Sequence, residues 1–204
     1  MRILAFIVLV AVSAYAGQYD KVKITPDMAY IYVYHKGKAV KVHRIQDTEH
    51  KLTGEYAKTY RPGKDIQPIK MQKDIQTIGE VELLKFMTEK GNSKKGLLVD
   101  LRSKKAYRKE SIPSAVNIPY ETKDNKIKVE KILKILGARR ASDGSLDTSR
   151  AMEVAFYCNG LWCDKSSEFI KTFLELGYPA DKMLYYRGGF QMWKILGFTT
   201  VTNQ

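Results

Sequence analysis

The chain has 204 residues, of which 35 are Lys or Arg and 22 are Asp or Glu, so its formal net charge is +13 at pH 7. That length suits one well-cored domain plus an accessory segment. The lysines are scattered and no nucleic-acid-binding motif is present, so the charge indicates a solvated surface or an anionic small ligand and disfavours nucleic acid as a partner.

Residues 1–16 are predicted to be an export signal. Arg2 supplies the positive start, residues 3–12 are apolar, and Ala14-Tyr15-Ala16 forms a small-x-small cleavage pattern before Gly17. The apolar run is about half the ~20 residues that a membrane-spanning helix needs, and no other stretch is long and apolar enough. The mature protein is therefore expected in the periplasm or secreted, with no membrane span.

Residues 17–70 are predicted to form a β-rich N-terminal extension. The stretch "MAYIYVYHKGKAVKVHRI" alternates, with Tyr30, Tyr32 and Tyr34 on one strand face, and Lys36-Gly37-Lys38 indicates a hairpin turn. The stretch "RPGKDIQP", residues 61–68, is rich in turn residues and indicates a linker.

All three histidines, His35, His43 and His50, lie in this extension. No carboxylate or cysteine stands at ligand spacing from them, and two of them sit at the ends of the predicted hairpin. They are interpreted as surface residues, and no metal site is expected.

From about residue 77 to residue 204, helix-like and strand-like stretches alternate. A helix is predicted over residues 77–91 with Thr77 as its N-cap, followed by the buried strand "GLLVDLR". Later stretches are, in order, "SKKAYRKE" (helix), "AVNIPY" (strand), "KVEKILKILGA" (helix), a strand into Cys158, a helix over residues 166–176, "MLYYR" (strand) and "GGFQMWKILGF". This order predicts an α/β fold with a parallel sheet flanked by helices, which is expected to fold without the extension.

Both cysteines lie in the loop that follows the strand before Cys158, whose remaining members are Asn159, Gly160, Leu161, Trp162, Cys163 and Asp164. Reacting groups of α/β sheets sit at the carboxyl ends of strands, so the position of Cys158 favours a nucleophile. Backbone amides of the loop and the start of the following helix would stabilise a thiolate, a persulfide or an oxyanion there. In an exported chain, however, two cysteines also favour one disulfide, and Cys163 is close enough in sequence to form it. The negative charge of Asp164 is expected to raise the pKa of the Cys163 thiol, which leaves Cys158 as the nucleophile.

Three motifs in this part of the chain resemble those of rhodanese-like domains. They are "LLVDLRSKKAYRKESIPSAVNIPY", "AFYCNGLWCDKS" and "LGYPADKMLYYRGGFQMWKILGF", and the form Cys-Asn-Gly-x-Trp-Cys is similar to that of exported single-domain members. The resemblance implies a sulfurtransferase mechanism with Cys158 as the sulfur carrier, and Asp100 and Arg102 as a structural pair. Glu110-Ser111 stands where Gly-His is usual, and Asn159 stands where many members carry arginine.

The leading hypothesis is an exported sulfurtransferase. Cys158 would take sulfur from a small sulfur-containing anion or a persulfide and pass it to a thiol or cyanide, with no metal or organic cofactor. A thiol–disulfide redox protein using Cys158 and Cys163, and an inactive binding module, are the alternatives. A phosphatase is disfavoured because Asp164 stands six residues after Cys158, where an arginine would be needed to hold the oxyanion.

Overall fold

The computed structural model describes residues 21–59, 65–72 and 74–204. The expected export signal, its cleavage point at Gly17 and residues 61–64 of the expected linker lie outside these ranges. No helix within them is long and apolar enough to cross a membrane.

The strands, in chain order, are β1 (Tyr30–His35), β2 (Lys38–His43), β3 (Gln76–Ile78), β4 (Gly96–Asp100), β5 (Val116–Asn117), β6 (Arg139–Arg140), β7 (Leu146–Asp147), β8 (Glu153–Tyr157) and β9 (Met183–Tyr186). The α-helices are α1 (Glu80–Phe86), α2 (Lys104–Lys109), α3 (Lys126–Ile135), α4 (Lys165–Glu175) and α5 (Gly189–Ile195).

A five-stranded sheet with the order β3-β9-β8-β4-β5 forms the centre of the molecule, and all of its neighbouring strands are parallel. The predicted α/β fold with a parallel sheet is confirmed. Because the strands are parallel, their carboxyl ends share one edge, and β4 and β8 place Asp100 opposite Tyr157 at that edge.

Two apolar layers cover the sheet. Residues of α1 and α5 pack on one face, where Trp193 is fully buried as its helical spacing predicts. Residues of α3 and α4, including Phe169 and Phe173, pack on the other. Burial of each such large apolar side chain contributes roughly 1.5–3 kcal/mol, so these layers hold the sheet edge in position.

Helix α1 begins later than its sequence pattern predicts. Thr77 is not the N-cap, because Gln76–Ile78 pairs with Leu184–Tyr186 of β9 as a strand. Gly79 takes the cap position, and its N–H donates to the carboxylate of Glu82 at 3.1 Å. The helix then continues as a π-helical turn over Met87–Gly91, which ends at the predicted glycine.

The predicted hairpin is present in the extension. Lys36 and Gly37 both have positive φ angles (49° and 78°), as a two-residue turn between right-twisted strands requires. Tyr32 and Tyr34 are exposed on one face, whereas the opposite face buries Ile31 and Val33 in the same apolar layer as α1 and α5.

His35 is buried, so its interpretation as a surface residue is wrong, whereas His50 is exposed as expected. His35 lies on the same strand face as Ile31 and Val33, because side chains alternate along a strand. Its Nε2 is 2.8 Å from Oδ1 of Asn203, and its Nδ1 accepts the Ser114 N–H at 3.1 Å. The extension therefore shares a core with the sheet; the expectation that residues 77–204 fold alone stays a prediction.

Candidate functional site

Cys158 follows β8 directly and lies at the carboxyl edge, between the ends of β4 and β9. The loop then runs through Asp164 into α4. Cys158 and Cys163 are only 3% and 6% exposed. The two residues form a disulfide, with Cα atoms 6.3 Å apart, within the range that disulfides require. The bridge that the sequence left open is thus present in the structure.

The start of α5 holds the base of the loop. The N–H of Phe190 donates to the Cys158 carbonyl at 2.9 Å, and the N–H of Gln191 donates to the Asn159 carbonyl at 2.8 Å. Gly189 has a positive φ of 60°, and a Cβ there would lie 2.7 Å from the Gly160 nitrogen, so only glycine allows this approach. The sequence analysis named the loop's own amides and the start of the following helix, α4, as stabilising a thiolate, and it missed α5, although the Gly-Gly at the start of α5 was a signal for close backbone contact.

The side chains of Asn159 and Trp162 pack against the loop itself. Nδ2 of Asn159 lies 3.5 Å from Sγ of Cys158 and 4.0 Å from Sγ of Cys163, so one amide group donates toward both sulfurs. The Trp162 ring lies across Gly160, where an added Cβ would approach the ring to 2.5 Å. Trp162 therefore covers the loop at Gly160.

Asp164 is the first residue of the turn that starts α4. Its carbonyl accepts the N–H of Glu168 at 3.0 Å and the hydroxyl of Ser167 at 2.6 Å. On the loop side, the N–H of Cys163 donates to the Gly160 carbonyl at 2.9 Å. The end of the loop that carries Cys163 is thereby fixed to α4.

Gln67, within the expected linker, is attached to the loop. Its N–H donates to the Leu161 carbonyl at 2.8 Å, and its own carbonyl accepts Nε and Nη2 of Arg187 at 2.8 and 2.6 Å. The hydroxyl oxygen of Ser167, which donates to Asp164, also lies 3.3 Å from Oε1 of Gln67. No local sequence signal identified Gln67, because the contact joins segments about a hundred residues apart.

Asp100 and Arg102 form a buried ion pair beneath the site. Arg102 Nη2 donates to Oδ2 of Asp100 at 2.6 Å, and the Tyr157 hydroxyl donates to the same oxygen at 2.6 Å. Burial alone would lower the pKa of the Arg102 guanidinium, but the hydrogen bonds and charge of Asp100 outweigh burial and raise that pKa. Burial raises the pKa of the Tyr157 hydroxyl. Arg102 stays charged and buried, so its ion pair with Asp100 helps to hold the ends of β4 and β8 in position.

A cavity of about 510 Å³ adjoins the loop at Asn159. Its walls come from the extension, from α2 with the residue before it, and from α5; they include residues 50–56, Lys105, Lys109, Phe190 and Lys194. A second cavity, of about 600 Å³, lies at Leu161 and Arg187. The loop is therefore flanked by two open spaces, of which the one at Asn159 is lined mostly by basic charge.

A family model described as a rhodanese-like domain matches residues 80–196. A comparison with curated proteins finds no match. Among solved structures, the BH2092 protein from Bacillus halodurans is 22% identical over 62% of this chain and 77% of that chain, with a TM-score of 0.47. Thiosulfate sulfurtransferase from Pseudomonas aeruginosa is 16% identical over 67% of this chain and 22% of that chain, with a TM-score of 0.47. Ygr203w from Saccharomyces cerevisiae is a homolog of single-domain rhodanese and the Cdc25 phosphatase catalytic domain. It is 15% identical over 68% of this chain and 94% of that chain, with a TM-score of 0.48.

Proposed function

The chain belongs to the rhodanese-like domain family, which includes sulfurtransferases, and from this premise we propose that it is an exported sulfurtransferase whose Cys158 carries sulfane sulfur as a persulfide. The observation that carries the proposal is the place of Cys158. It directly follows β8, the middle strand of the sheet, its carbonyl is held by the start of α5, and the Asn159 amide donates toward its sulfur. A thiolate at that point has a fixed position and a hydrogen-bond donor.

The transfer needs two displacements at sulfur. In the first, the Cys158 thiolate attacks the outer sulfur of a donor such as thiosulfate; the Cys158 S–S bond forms, the donor's S–S bond breaks, and sulfite leaves with the electron pair. In the second, an acceptor thiolate or cyanide takes the outer sulfur from the persulfide, and the electron pair returns to Cys158. The covalent intermediate is the protein's own sulfur, so the chemistry requires no metal or organic cofactor.

The disulfide between Cys158 and Cys163 is the resting form in this proposal. Two thiol equivalents must open it before Cys158 can take sulfur. A Cys163 thiolate can also attack Sγ of the Cys158 persulfide, which re-forms the disulfide and releases hydrosulfide. The N-terminal pattern of residues 1–16 supports export to the periplasm or beyond, where such a bridge persists.

The experiment is intact-mass measurement after full reduction, removal of the reductant and incubation with thiosulfate. We expect the protein to gain one sulfur atom that a thiol then removes. Cys158→Ser is expected to gain none, whereas the matched variant Cys163→Ser keeps single-turnover uptake. Uptake by Cys158→Ser together with none by Cys163→Ser would show that the nucleophile is misassigned, and no uptake by the wild type would refute the proposal.

The disulfide itself favours a second candidate, a thiol–disulfide redox protein. In that case the Cys158–Cys163 pair would exchange electrons with another dithiol, and both cysteines would be needed for turnover. Turnover of a dithiol substrate that depends on both residues, without sulfur uptake from thiosulfate, distinguishes this function from sulfur transfer.

A further inference from the structure

The extension supplies one wall of the cavity at Asn159. Residues 50–56 face Ser103 and α2 across a volume of about 510 Å³. Sites for small organic ligands typically measure ~300–1,000 Å³. The cavity is therefore large enough for a ligand several times the size of a sulfur oxyanion.

Tyr56 attaches this wall to the buried Asp100–Arg102 ion pair and to α5. The Tyr56 hydroxyl accepts Nη1 of Arg102 at 2.9 Å, and its ring meets Phe190 edge-on with centroids 5.2 Å apart. Its carbonyl accepts Nε2 of Gln191 at 3.4 Å. The same start of α5 that holds Cys158 thus also contacts the extension, so the wall and the loop are both attached to one helix end.

The charge that lines the cavity is largely uncompensated. Lys194 pairs with Glu110 at 2.6 Å, and Arg102 pairs with Asp100. Lys51, Lys105 and Lys109 line the same cavity, and none of the three makes an ion pair with a residue in the described ranges. The remaining lining acid is Glu55, which lies 3.3 Å from Lys58. This arrangement favours a ligand with more than one negative charge.

Asn159 connects the cavity with the disulfide. It lines the cavity, and its amide nitrogen is within 4.0 Å of the sulfur atoms of both cysteines, two residues that are nearly buried. Neither cysteine itself lines the cavity, so a ligand there approaches the disulfide past the Asn159 side chain, and the Asn159 amide is a hydrogen-bond donor for a thiolate released beside it.

We propose that this cavity binds a low-molecular-weight thiol bearing carboxylate groups, and that the bound thiol opens the Cys158–Cys163 disulfide. This inference deepens the proposed function and rests on it, since it names the class of reductant that prepares Cys158. The ligand thiolate bonds to Sγ of Cys163, the Cys158–Cys163 bond breaks, and the electron pair stays on Cys158 beside the Asn159 amide. A second thiol then releases Cys163 as a thiol and leaves as the disulfide of two ligand molecules.

The test measures the rate at which oxidised full-length protein loses its disulfide, by acid quench, alkylation and intact mass. The probes are mercaptosuccinate (two carboxylates), 2-mercaptoethanol (neutral) and cysteamine (cationic). The variant is Lys105→Gln with Lys109→Gln. The matched control is Lys134→Gln with Lys171→Gln, which removes the same charge from exposed positions that do not line this cavity.

Taking the ratio of variant to wild-type rate for each thiol cancels the intrinsic reactivity of the thiols. We expect the double α2 variant to lower the rate of disulfide opening by mercaptosuccinate roughly fivefold, as the loss of two exposed charge contacts allows. The rates with 2-mercaptoethanol and cysteamine should not fall. This selectivity should diminish in high salt. Equal slowing of all three thiols, or the same selectivity in the control pair, would overturn the inference.

Two further results test the thiol site separately from the proposed sulfur transfer. Lys51→Gln, on the extension wall, should show the same selectivity even if the α2 variant fails to fold, and a rate unchanged with mercaptosuccinate counts against the proposal. Charge-selective opening without sulfur uptake by the wild type refutes sulfur transfer alone, whereas sulfur uptake with unselective opening refutes the thiol site alone.

Discussion

Replacing Asp100 with asparagine should cost the protein a large part of its stability. The Asp100 carboxylate accepts the backbone N–H, Nε and Nη2 of Arg102 and the hydroxyl of Tyr157, and both members of the ion pair are almost completely buried. Asn would keep the shape but leave the guanidinium without a counter-charge and turn an N–H₂ group toward it.

Breaking a buried ion pair from one side costs about 3–5 kcal/mol. Single domains have a free energy of unfolding of about 5–15 kcal/mol, so Asp100→Asn should remove about a fifth of it or more. The assay is urea unfolding of the full chain, followed by circular dichroism, with wild type and variant compared at the same pH.

The matched control is Glu121→Gln. Glu121 pairs with Lys165 at 3.0 Å, but the two side chains are 62% and 35% exposed, so this substitution should cost less than about 1 kcal/mol. If Asp100→Asn costs no more than Glu121→Gln, then the buried ion pair does not hold the strand ends in position.

Three further predictions follow from the same contacts. Because burial lowers the pKa of His35, the unfolded chain binds a proton below pH ~6.5 that the folded chain does not. The free energy of unfolding should therefore fall as the pH drops below that value, by at most about 1.4 kcal/mol per pH unit. Urea titrations of His35→Gln at several pH values should show that this dependence is lost, and an unchanged dependence would show that groups other than His35 cause it. A chain limited to residues 77–204 should keep its far-UV spectrum but unfold on the order of 5 kcal/mol more easily, because it lacks buried side chains such as Val33 and Val42; a spectrum of unfolded chain would show that the extension is indispensable. N-terminal sequencing of exported protein should find Gly17 first, and Met1 in that fraction would contradict the export signal.

The order of strands and helices could be predicted from sequence because it rests on local patterns. The apolar run that forms β4 and the amphipathic run that forms α4 each carry their own period, so their alternation indicates a parallel sheet. The same reasoning places Cys158 at the carboxyl edge, since a strand end is visible in the sequence.

The parts that could not be predicted depend on contacts between distant segments. Gln76–Ile78 is a strand only because β9 is beside it, so the cap at Thr77 was misassigned. The burial of His35 depends on Asn203, and the place of Gln67 depends on Leu161 and Arg187. None of these partners lies within the window in which periodicity or capping patterns operate.

The strand order has a consequence for the time at which the disulfide forms. Strand β3 pairs with β9, and β8 lies between β4 and β9, so the sheet is incomplete until residues 183–186 are available. Contacts of such long sequence separation slow folding, because the chain entropy of loop closure must be lost before the contacts compensate for it.

Until then, α5 cannot hold the carbonyls of Cys158 and Asn159, and the two cysteines belong to an unfixed segment. The fixed geometry in which the structure holds this bridge therefore depends on the C-terminal strand and helix. The thiols are therefore open to competing partners from their own synthesis until the residues of β9 and α5, which follow them in the chain, have been added and have packed.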